Sequence, residues 1–161
     1  VRLVIADTGP INYLILIGHI ELLPRIFEKV ALPAAVQAEL SKPRAPLPVQ
    51  RWIAAPPVWL EIHDTTGLPQ VSGLDEGETA AIALAEFLHA DMLLIDERVG
   101  FRVAKNKGLR VTGTLGLLDL AADHGMIDFA QAIHELEQTS FRRPEALLKT
   151  LLAKHEAKDS A

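Results

Sequence analysis

The chain has 161 residues, a net charge of −5 and no cysteine. Its length suits one domain with a sizeable core, and 49% hydrophobic with 23% charged residues is globular composition rather than that of a disordered segment. The missing cysteine excludes disulfides, thiol nucleophiles and thiolate zinc sites; the acidic balance argues against a protein that coats nucleic acid, but not against an enzyme whose own metal-binding acids carry the charge.

Residues 2–7 read as a first strand, since Leu3-Val4-Ile5-Ala6 is a short apolar run of the kind buried on both faces of a parallel sheet. Asp7 interrupts this run before a signal-peptide core can form, no A-x-A pattern follows, and the longest apolar stretch, around Ile11 to Ile17, is too short to span a bilayer. A cytoplasmic protein without membrane association is expected.

Gly9-Pro10 begins a helix that ends near Gly18. A short helical piece from about Ile20 to Phe27 leads into a strand at Val30–Leu32, and Pro33 starts a helix carrying Val36, Glu39 and Leu40. Prolines 43, 46, 48, 56, 57 and 69 break up a variable segment at about 42–73, which has room for a helix near Val49–Ala54 and a strand at Val58–Ile62. Next come a helix from Leu74 to about Leu88, a strand at 92–96, a helix at about 98–106, a strand at Leu109–Thr112 and a helix from about Leu115 to His124. C-terminal helices fill the region from about 128, at Phe129–Gln138 and Pro144–His155. The βαβα alternation predicts a single α/β domain over 1–161. It should have a central parallel sheet flanked by helices on both faces, with right-handed crossovers.

Two strands end in a bare aspartate: Leu3–Ala6 runs into Asp7, and Met92–Ile95 into Asp96. The C-terminal ends of strands are where open α/β sheets bind ligands. The structural alternative is that each aspartate caps the helix that follows. Neighbouring strands would bring the carboxylates together, which is tolerable only with a cation between them. Glu78 has its own structural explanation, a capping box with Asp75. Yet helical spacing puts it on the same face as Ala81, Ile82 and Ala85, an apolar face that should pack on the sheet. Glu39 borders the inward stripe of its helix, and taken alone reads as a surface acid.

The segments Asp7-Thr8-Gly9-Pro10, Val36–Leu40, Leu74–Ile82, Leu93–Asp96 and Gly108–Gly116, taken in order, resemble the PIN-domain nucleases. Within them the resemblance is to the small prokaryotic PIN-like proteins related to VapC-type toxins, and it covers residue 3 to about 150. It implies a three-layer α/β/α fold and a Mg²⁺ or Mn²⁺ site formed by Asp7, Glu39, Glu78 and Asp96. The implied activity is metal-dependent ribonuclease action, as the toxin of a toxin–antitoxin pair whose antitoxin is a separate small protein. One departure is Glu97, which stands where that branch often has a second Asp. With the modest basic charge, it keeps open an alternative, a PIN-like module that binds or regulates without catalysis.

Carboxylates holding such ions can activate water and stabilise a phosphodiester's developing charge, so no protein nucleophile is needed. Thr8 and Asn12 are candidates to hydrogen-bond ligands or substrate. Arg98, Arg102 and Lys105 fall on one helical face just after Asp96, as RNA-phosphate binders or as a solvated face. Arg142 and Arg143 are candidates for a second basic patch. The uncharged stretch Ile11–Ile20 and the C-terminal helices are candidate homodimer surfaces. Asp-Thr-Gly also occurs in aspartic proteases, but those are all-β, and here the tripeptide opens a helix. A haloacid-dehalogenase phosphatase needs a second Asp where Gly9 stands, and a receiver needs an acidic pair that Ala6-Asp7-Thr8 lacks. The six histidines show no zinc spacing and read as surface or helix-end residues, while Trp52 and Trp59 should pack a satellite core.

Overall fold

The computed structural model describes residues 2–159. In chain order the elements are β1 (Leu3–Ala6), α1 (Thr8–Leu16), α2 (Leu22–Ile26), β2 (Lys29–Pro33), α3 (Ala34–Leu40), α4 (Leu47–Ala54) and β3 (Leu60–His63). They continue with α5 (Glu76–Phe87), β4 (Met92–Leu94), α6 (Arg98–Asn106), β5 (Val111–Thr112), α7 (Thr114–Asp123), α8 (Phe129–Glu137) and α9 (Glu145–Asp159). The strands form one all-parallel sheet in the order β3-β2-β1-β4-β5, and the architecture is the expected α/β/α arrangement.

Residue register explains why the strands are apolar throughout. Ile5 pairs with Ala31 on one side and Leu93 on the other, and these three join Ala81, Ile82 and Ala85 of α5 and Ala104 of α6 in one buried cluster. Val4, Ala6, Val30, Leu32 and Leu94 point the opposite way by strand alternation and are buried as well. Each large side chain in such a core contributes about 1.5–3 kcal/mol. The face of α5 that carries Glu78 is therefore the packed one, as its spacing predicts.

The chain steps from β1 to β2 to β3 in one direction and from β4 to β5 in the other. The order reverses between β1 and β4, and that switch point is where open α/β sheets leave a crevice beyond the strands' C-terminal ends. Asp7 follows β1 there, with its backbone N–H on the Leu94 carbonyl at 2.9 Å. Asp96 follows β4.

Several boundaries differ from those expected. β3 starts at Leu60, because Pro57-Val58-Trp59 forms a turn closed by the Leu60 N–H on the Pro57 carbonyl. β4 ends at Leu94, although Ile95 still donates to Thr112. Leu109 closes α6 onto the Ala104 carbonyl, shortening β5 to two residues. Trp52 and Trp59 pack together, ring centroids 5.9 Å apart. No helix among the described residues is long and apolar enough to cross a membrane.

The chain divides into two compact units, one up to Thr114 and one from Leu115 onward. In the second, α8 packs on α9. His155 corrects the expectation that the histidines lie at the surface. It is 7% exposed, stacks on Phe129 with centroids 4.6 Å apart, and its Nε2 lies 2.8 Å from Asp119 Oδ1.

Candidate metal centre at the sheet switch point

Asp7 occupies the N-cap position of α1 with extended backbone, yet its side chain makes no capping bond. The residue is 5% exposed, and Oδ1 is buried with no hydrogen-bond partner among the described residues. Burial pushes its pKa up to about 7; the Thr8 backbone amide opposes this, and the carboxylates of Asp75, Glu39 and Asp96 add to it. An orphaned carboxylate oxygen carries a desolvation penalty that capping would have relieved. Capping therefore does not account for Asp7.

Glu39, on α3, is half-buried. Its Oε2 accepts the Thr8 hydroxyl, and its Oε1 accepts the backbone N–H of Gly77 at 3.1 Å. Thr8 thus meets an acid of the predicted set directly. Gly77 makes the second contact possible: a Cβ there would stand 2.6 Å from Glu39 Oε1. Asn12 lies one turn beyond Thr8 on α1 and is half-buried.

Asp96 does not cap α6 either. Glu97 does so, with its carboxylate on the Gly100 N–H at 2.8 Å. This gives Glu97 a local role and draws its pKa below the usual range. Asp96 instead accepts two bonds from Thr114, the backbone N–H on Oδ1 at 2.7 Å and the hydroxyl on Oδ2 at 2.6 Å. Burial raises its pKa while the Thr114 bonds pull it down. Two glycines border this carboxylate. A Cβ on Gly9 would lie 3.4 Å from Oδ2, and one on Gly113 would lie 2.6 Å from Oδ1.

Glu78 is 8% exposed. Its backbone N–H is capped by Asp75 Oδ1 at 2.8 Å, which forms half of the expected capping box. Its carboxyl lies among those of Asp75 and Glu97, and burial, reinforced by both neighbours, pushes its pKa up to about 9. A hydrogen bond between the Glu78 and Glu97 carboxyls adds to both shifts, upward for Glu78 and downward for Glu97.

Asp7, Glu39 and Asp96 therefore gather at the switch point, and Glu78 adjoins them through Asp75. The sequence explains Asp75 fully as a cap, so its second position beside Asp7 was hidden. Thr114 was missed because it lies 18 residues from Asp96 with no local signature.

Arg98, Arg102 and Lys105 are exposed on α6, opposite the buried Gly100 and Ala104, and make no ion pair among the described residues. Arg143 pairs with Glu137 at 2.8 Å. Among the described residues, the one group whose candidate ligand atoms all lie within 4.8 Å of one another is elsewhere: Asp119, Asp123 and His155. Its charge is already balanced by lysines. Lys154 Nζ donates to Asp119 at 2.8 Å and to Asp123 at 2.9 Å, and Lys158 also donates to Asp123. The switch-point carboxylates are spaced more widely, but they have no lysine or arginine paired with them among the described residues.

A family model described as DUF3368, a PIN domain, matches residues 3–157. A comparison with curated proteins gives no match. Among solved structures, the chain is similar to a PilT N-terminus domain protein, SSO1118, from the hyperthermophilic archaeon Sulfolobus solfataricus P2. The identity is 15% and the TM-score 0.54, over 72% of this chain and 90% of that one, a likeness of fold. Because the model match runs through nearly the whole chain and through every acid of the switch-point group, this chain belongs to the PIN-domain family, whose fold is of the nuclease type.

Proposed function

We propose that this protein is a Mg²⁺- or Mn²⁺-dependent endoribonuclease, with Asp7, Glu39, Glu78 and Asp96 as its acidic site. The observation that carries the reading is Asp7, a buried carboxylate with an unpartnered oxygen at the switch point, surrounded by other acids. The donor set fits a hard divalent cation, since every candidate ligand is a carboxylate oxygen and bare glycines border the acids. When bound, such a cation supplies an activated water and stabilises charge on the scissile phosphate.

The chain's own residues divide the remaining work. Asp7 and Asp96 are the principal ligands, from adjacent strands. Glu39, steadied by Thr8 and Gly77, is a ligand or water-orienter. Glu78, whose pKa burial pushes up, is a ligand or water-orienter that can also pass a proton. Arg98, Arg102 and Lys105 bind RNA phosphates, and Asn12 contacts the ligands or substrate beside Thr8.

The family model runs through both compact units, which supports one domain over the chain. The resemblance to VapC-type proteins supports a cytoplasmic toxin, homodimeric and silenced by a separate antitoxin. A non-catalytic binding module is the rival, but the capping role of Glu97 removes one reason for it. Purified protein should cleave a mixed RNA pool with Mn²⁺ and not with chelator, and Asp7→Asn and Asp96→Asn should each lose most of that cleavage. Metal binding without cleavage by the wild type would favour the rival.

A further inference from the structure

We propose that Thr114 is the positioning residue for Asp96, holding both of its carboxylate oxygens so that the group meets the cation in one fixed orientation. This rests on the metal-site reading above. Thr114 is wholly buried, and its two donors are divided one to each oxygen, the amide to Oδ1 and the hydroxyl to Oδ2. With both oxygens anchored from the same residue, the carboxylate plane cannot rotate about its χ2 axis without breaking a bond. Each oxygen keeps lone-pair capacity for a ligand, because an ionised carboxylate has about four acceptor sites.

The surrounding backbone reinforces the arrangement. Gly113 lets the chain approach closely, since a Cβ there would fall 2.6 Å from Oδ1. A threonine present only to start α7 would have no need to place its hydroxyl on the carboxylate that follows β4. Groups that orient ligating side chains in this way commonly alter metal affinity 10- to 100-fold when removed.

The test measures Mn²⁺ affinity by calorimetry on the full chain. Thr114→Val keeps the shape and the amide but removes the hydroxyl, and Thr114→Ser keeps the hydroxyl. The expected result is a loss of about 10-fold or more for Thr114→Val, with Thr114→Ser within about 3-fold of wild type. If Thr114→Val does not fold, Thr114→Ala provides the same comparison. Unchanged Mn²⁺ affinity in a folded variant lacking the hydroxyl would overturn the proposal, and so would an equal loss in Thr114→Ser. Asp96→Asn separates the two levels of inference. If it also binds Mn²⁺ normally, the metal site itself is misplaced; if it loses binding while Thr114→Val keeps it, only the positioning role fails.

Discussion

Glu97 accepts the backbone N–H of Gly100 at 2.8 Å, and so it, rather than Asp96, caps α6. Two adjacent acids thereby acquire separable roles. Replacing an N-cap by alanine costs about 1 kcal/mol, so Glu97→Ala should lower the melting temperature of the metal-free protein and leave the Mn²⁺-induced increase intact. Asp96→Asn should do the reverse, losing most of the Mn²⁺ effect. Thermal melts in chelator and in Mn²⁺ compare the two variants; equal loss of the Mn²⁺ effect in both would make Glu97 part of the site.

Gly77 offers a way to disturb a candidate ligand without harming the fold. A methyl group there would collide with the Glu39 carboxylate, the movable end of a flexible side chain. Alanine is also the better helix residue by about 0.5–1 kcal/mol. That gain offsets part of the lost Gly77 N–H bond to Glu39, so Gly77→Ala should stay folded with a melting temperature close to that of the wild type while its Mn²⁺ affinity and RNA cleavage fall. Retained affinity would remove Glu39 from the set.

What the sequence made legible follows physical range. The strand-end aspartates and the apolar face of α5 are local patterns, and the sheet places them as expected. Whether Asp7 and Asp96 serve as caps could not be read, because that depends on which donor each oxygen meets in space. Asp75 was hidden behind a correct local explanation. Thr114, and the approach of Gly9 and Gly113 to Asp96, arise from strand pairing and have no signature in spacing. His155 did have one: it continues a buried stripe from Leu148 and Leu151 at i, i+3 and i+7. Zinc-ligand spacing is blind to such a stripe.

The exposed cations of α6 are expected to contact RNA phosphates. Each lost contact to a single strand should reduce the slope of log affinity against log salt by about 0.7. The double variant Arg98→Ala and Arg102→Ala should therefore bind RNA more weakly and with a shallower slope, at unchanged Mn²⁺ affinity. A wild-type slope in that variant would leave the face merely solvated.

Asp7 and Glu78 make the metal-free protein's stability depend on pH in an unusual direction. Folding raises Asp7 from 3.8 to about 7 and Glu78 from 4.5 to about 9. Between the ordinary and the raised values, the folded state holds protons that the unfolded state has released. Stability must then fall as pH rises, by up to about 1.4 kcal/mol per pH unit for each group. In chelator, the melting temperature should drop from pH 5 to pH 7 through both residues, with the raised Asp96 adding to them, and from pH 7 to pH 9 mainly through Glu78. Asp7→Asn should flatten the first interval and Glu78→Gln both, and Asp7→Asn should stabilise the protein more at pH 8 than at pH 5. Mn²⁺ should reverse the trend, because a cation favours the ionised carboxylates: at a hundredfold above its dissociation constant it adds about 2.7 kcal/mol at pH 8, and less at pH 5, where protons compete. Caps would behave oppositely, since a capping aspartate stabilises when ionised and its removal costs about 1 kcal/mol. Melting temperatures that rise with pH in chelator, together with a wild type that Mn²⁺ does not stabilise, would mean that these carboxylates are neither strained by burial nor arranged for a cation.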